Sequence, residues 1–177
     1  MSKKKREEAA RIASLSQKVD RWLKGYQKSS LLLMAIGVVS FLTAILQAAG
    51  FLNNTFGSLG IAYYIRSLLL PLSLDAIWLT LLCLLVNFLL MGVFAFAAIF
   101  AAKGNAWAMY LGIALYTADG VFLLVLGGIH GYEEYLPMLL MHLPLLLGLG
   151  ITVFYYYKAD YYWREYQKAE KASKTLP

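Results

Sequence analysis

The chain has 177 residues, 60% of them hydrophobic and 15% charged, with a formal net charge of +6. A soluble domain holds roughly 45–50% apolar and about 25% charged residues, so this composition excludes a soluble enzyme domain and a disordered chain. One cysteine, Cys83, excludes a disulfide scaffold.

Residues 1–30 read as a basic amphipathic helix. Ile12, Leu15, Val19, Trp22 and Tyr26 recur at steps of 3, 4, 3 and 4, with Ser16, Lys18, Asp20, Arg21 and Lys24 between them. Such a stripe fits a helix lying on the membrane surface, its cations on anionic lipid headgroups. The same spacing is that of a short coiled-coil seam, which is the alternative. The cations come with no recognition motif, so no nucleic-acid partner is expected. The polar leader is too long for a cleaved signal peptide.

A helix needs about 20 apolar residues to cross roughly 30 Å of hydrocarbon. Four stretches qualify: 31–51, 76–102, 107–128 and 137–157. The only charged residue or histidine in the third is Asp119, and in the fourth His142; the first two have none. Residues 67–102 are nearly all apolar, but one helix of that length would run about 54 Å, so the segment must divide. Pro71 and Asp75 mark the division, and 60–74 is expected to form a short interfacial or re-entrant helix. The connections at 103–105 and 131–135 are short, which makes sequential spans antiparallel neighbours. The expected fold is all-α: an integral membrane up-and-down four-helix bundle over 31–157, flanked by amphipathic or charged cytoplasmic helices. Residues 158–177 form a basic, aromatic tail whose tyrosines, from Tyr155, suit an interfacial belt.

Charge sets the orientation. Of 16 Lys and Arg, nine precede residue 29 and five follow residue 157, leaving Arg66 and Lys103. With both termini cytoplasmic, only Arg66 lies outside. A multi-pass membrane protein with both termini cytoplasmic is expected.

Inside the bilayer a charged side chain costs roughly 2.5–3.5 kcal/mol, so Asp119 needs a reason. Asn87 lies at a similar depth and is expected to hydrogen-bond it; Tyr116 is one turn away and within reach. Toward the outer side lie Gln47, Asp75, His130, Glu133, Glu134 and His142. This gradient predicts a cavity open to the outside and lined by the second, third and fourth spans, not a through-pore. No CxxC, HExxH, glycine-rich phosphate loop or Gly-x-Ser-x-Gly turn is present, so no metal and no cofactor are expected.

The run Trp107-Ala108, Gly112, Leu115-Tyr116 and Asp119, with a histidine in the next helix, resembles small bacterial membrane proteins known only as uncharacterised. The likeness covers roughly the second half of the chain. It implies a four-helix membrane protein with a paired interest in Asp119 and His142, and no activity; here the histidine follows a longer Glu-Glu turn. Three functions are in play. The first is a non-enzymatic membrane subunit or homo-oligomer, partnered by the bilayer or another membrane protein. The second is a small transporter or channel with Asp119 as a proton- or cation-linked site. The third is a membrane enzyme acting at the outer face on lipid or an envelope precursor, using Asp75, His130, Glu133, Glu134 and His142.

Overall fold

The computed structural model describes residues 3–51, 58–69, 75–133 and 135–174, and these form five helices with no strand among them. They are α1 (Lys3–Ala48), α2 (Gly60–Leu69), α3 (Ala76–Ala102), α4 (Ala106–His130) and α5 (Leu136–Lys174). All but α2 are long and apolar enough to cross a membrane. α3 has the bounds expected of the second span. Of the short segment expected at 60–74, the helix covers Gly60–Leu69; residues 70–74 lie outside the described residues.

Neighbouring long helices run antiparallel, as their contacts show. Along α1 and α3, Ser40 meets Asn87 and Gly37 meets Met91 and Phe94. Along α3 and α4, Phe100 packs on Trp107 and Phe94 on Tyr116. Along α1 and α5, Trp22 packs on Tyr155 while Leu32 fills the space over Gly148. Small residues permit these approaches. A Cβ on Gly37 would stand 2.9 Å from the Met91 backbone, and one on Gly112 2.6 Å from Leu33. Gly92 and Gly150 face open space instead. Gly104 and Gly131 turn the chain after α3 and α4 at φ of +92° and +95°, a region that strains other residues.

At 46 and 39 residues, α1 and α5 would be about 69 and 58 Å long, twice the hydrocarbon thickness. Beyond the 103–105 turn only these two continue, and they pack on each other. Tyr26 packs on Tyr156, Trp22 on Phe154 and Tyr155, and Lys18 lies over the Tyr162 ring. Leu15, Tyr26, Ala159 and Ala169 are buried in this pair. The stripe within residues 1–30 expected on the membrane surface is instead packed along α5. The helix runs unbroken into the first span, and its 3-4 stripe is covered by α5, as the heptad alternative requires.

α2 stands beside the half of α1 that leads to Ala48. The Leu59 amide, just before α2, donates to Ser40 Oγ, and Arg66 donates to Gln47 Oε1. Both pairs are separated by seven residues on each helix, so α2 runs parallel to α1. Tyr64 packs on Phe122 and Tyr63 on Tyr135, which fixes α2 against α4 and the start of α5.

Candidate functional site

The first turn of any helix has amide N–H groups without intrahelical acceptors. In α2 these groups face α4 within the bundle, the Gly60 amide buried and the Ile61 amide part-buried. Asp119 of α4 supplies the acceptors. Its Oδ2 accepts from the Gly60 amide and its Oδ1 from the Ile61 amide, both at 2.8 Å. The negative carboxylate also meets the positive end of the helix dipole. A Cβ on Gly60 would lie 2.5 Å from Leu123, so a glycine there lets the backbone approach α4.

His142 completes the arrangement from α5. Its Nδ1 is 2.8 Å from the Met138 carbonyl oxygen, and a carbonyl only accepts, so Nδ1 carries a proton. Its Nε2 is 3.0 Å from Asp119 Oδ2, within hydrogen-bond distance. Tyr116 lies flat on the imidazole, with ring centroids 4.4 Å apart and planes 4° from parallel. Gly120 leaves room for the imidazole edge. Asp119, His142 and Tyr116 are all buried.

A second set of bonds joins α1, α3 and the segment before α2. Ser40 Oγ accepts from the Leu59 amide and donates to Asn87 Oδ1 at 3.0 Å, and Asn87 Nδ2 donates to the Cys83 carbonyl at 3.0 Å. Thus the start of α2 is tied to α1, α3, α4 and α5 through side chains that are all buried.

Several expectations change. Asn87 does not bond Asp119; they hold successive amides of one helix start, Asn87 through Ser40. Tyr116 stacks on the histidine rather than reaching the carboxylate. The expected cavity is elsewhere. A polar pocket of ≈ 120 Å³ lies between α1, α2 and α3, with Asn87 in its wall, and neither Asp119 nor His142 lines it. The spaces that touch those two are apolar. One of ≈ 370 Å³ is bounded by Leu90, Val93, Phe94, Leu115 and Phe122, and one of ≈ 70 Å³ by Ile36, Val39 and Leu145.

The other candidates do not gather. Asp75 stands at the N-cap of α3 without a side-chain capping bond. Asp75, His130 and Glu133 are exposed, and no hydrogen bond or ion pair joins them to one another or to His142. Glu134 lies outside the described residues. Among the described residues no group of three His, Cys, Asp or Glu is placed to hold a metal ion.

Sequence reasoning missed Ser40 as a partner and the α2 amides as the reason for Asp119. Gly60 opening a short segment after a serine was the available signal. Comparison with protein-family models finds no match, and comparisons with curated proteins and with solved structures find none.

Proposed function

We propose that this chain is a non-enzymatic four-span protein of the bacterial inner membrane, an up-and-down bundle with both ends cytoplasmic, which works as a membrane subunit or homo-oligomer. It holds α2 as a re-entrant helix beneath the outer surface. Four long apolar helices and the concentration of cations at the two termini support the topology. The observation that carries the functional reading is the occupancy of Asp119: both carboxylate oxygens are engaged by backbone amides and one also by His142. A buried acid so engaged is a structural fastener. A transport site would need a carboxylate facing a polar route, whereas the core toward the Lys103 end is built on Leu33, Ile36, Phe94, Ala97, Ala98, Ala101 and Met109, and its buried hydroxyls, Ser30 and Thr152, are turned back onto the Gln27 and Gly148 carbonyls of their own helices. Exposed leucines on α3 and α5, among them Leu85, Leu89, Leu143 and Leu147, offer faces to lipid or to other helices.

The test compares wild type, Asp119→Asn and Asp119→Ala in proteoliposomes. A fastener predicts that both variants lose thermal stability and that none of the three carries proton or cation flux. Asp119→Asn that keeps full stability and abolishes a flux seen in wild type would establish the transport reading instead. Native mass spectrometry from lipid nanodiscs tests the assembly: a homo-oligomer or a co-purifying membrane protein is expected, and a lone monomer contradicts it.

A further inference from the structure

The polar pocket between α1, α2 and α3 has a chemistry of its own. Gln47 and Arg66 line it at one end and Asn87 and Ser58 at the other, with Thr80 on the wall between. Seven residues of α1 separate Gln47 from Ser40, the partner of Asn87, so the pocket is about 10 Å deep. No Asp or Glu is among its lining residues that the structure describes.

Donors predominate in it. The Arg66 guanidinium has five N–H groups; it makes a 3.3 Å bond to Gln47 and no ion pair among the described residues. At the floor, Asn87 Nδ2 has spent one N–H on the Cys83 carbonyl, and Oδ1 is occupied by Ser40, so one N–H remains. The hydroxyls of Ser58 and Thr80 make no hydrogen bond among the described residues. A guanidinium without a carboxylate, above amide and hydroxyl donors and flanked by Ala44, Ala48 and Ala62, matches an oxyanion with a small body.

We propose that this pocket binds a phosphate monoester or diester, seated on the Arg66 guanidinium with its polar remainder directed toward Thr80 and Asn87. The same chemistry is presented by an anionic lipid headgroup and by a free phosphate ester. The proposal does not rest on the role given to Asp119, and its test leaves that residue intact.

The experiment uses full-length protein in phosphatidylcholine nanodiscs. Two probes are measured: glycerol 3-phosphate by titration calorimetry, and phosphatidylglycerol by its retention over phosphatidylcholine in native mass spectra. Wild type is expected to bind one of them saturably, and which one identifies the source. Arg66→Gln should weaken that binding at least tenfold, Arg66→Lys less, and Thr80→Val severalfold with an unchanged thermal midpoint. Lys103→Gln, which removes one cation at the opposite end, should bind as wild type. Guanidinium capture also predicts weaker binding of the free ester as salt rises. The proposal is overturned if neither probe binds saturably, or if Arg66→Gln and Lys103→Gln bind alike.

Discussion

The two ends of the bundle are held by different forces. Toward His130, helices are joined by directional bonds: Asp119 to two amides and His142, Ser40 to Asn87 and Leu59. Toward Lys103 and along the α1–α5 pair, contact is made mainly by aromatic rings and close glycine approaches, as where Trp22 meets Tyr155 and Gly25 lies under that same ring, beside one exposed bond from Tyr110 to Tyr157. The difference follows from where helices begin. A continuous helix satisfies its own backbone and asks its neighbours only for shape. A helix that starts inside the bundle exposes amides to an apolar environment, and each must be given an acceptor.

Removing the acceptor should therefore be the most damaging change. Asp119→Ala leaves a buried amide, a part-buried amide and a buried imidazole without their acceptor, and should cost about 3–5 kcal/mol in unfolding measured by denaturant in mixed micelles. A loss below about 1 kcal/mol would mean that the amides find other acceptors. His142→Ala leaves the amide bonds in place and removes one bond to the carboxylate, with its stacking on Tyr116. It should cost about 1.5–3 kcal/mol in the same assay. If it matched Asp119→Ala, the imidazole rather than the carboxylate would be holding α2.

Shape dominates at Gly37. Gly37→Ala sets a methyl group against the Met91 backbone and should cost about 1–3 kcal/mol, whereas Gly92→Ala meets nothing and should gain up to about 1 kcal/mol in helix propensity. Equal effects would remove the distinction between close and open glycines.

The smallest effect is expected at Tyr26. Its hydroxyl is buried with no hydrogen-bond partner among the described residues. Burial, and then Tyr156 beside it, push the phenol up from 10.0 to about 12. Because the folded pKa is raised, the contribution is complete below pH 10 and is lost as pH rises through about 12. Tyr26→Phe should be neutral or stabilising by up to about 1 kcal/mol at pH 7. It should also flatten the alkaline fall in stability between pH 10 and 12.

The long helices were legible because a span announces itself by length and apolarity. α3 matches to the residue, and the need to break 67–102 was plain from its length. The partners of Asp119 were not legible, since a backbone amide leaves no mark in a sequence. The level of His142 was hidden for a related reason. Counting residues from the span ends places it nearer the surface than Asp119, but the chain after α4 folds back along that helix. The Tyr132 ring lies over Gly127, its hydroxyl donates to the Leu124 carbonyl at 3.4 Å, and α5 therefore begins below the end of α4. The packing of Tyr132 back along α4 thus goes with a His142 that meets Asp119. The stripe from Ile12 to Tyr26 was ambiguous because a heptad serves a lipid surface and a partner helix alike; its partner lies over a hundred residues away.

Amide hydrogen exchange at Gly60 and Ile61, read in wild type and in Asp119→Ala, is the most direct test of the fastening of α2. Both amides should be protected in wild type and lose that protection in the variant, while amides around Trp22 and Tyr155 keep theirs. Unprotected amides in wild type, or protection unchanged by Asp119→Ala, would contradict the anchoring of α2 by the carboxylate.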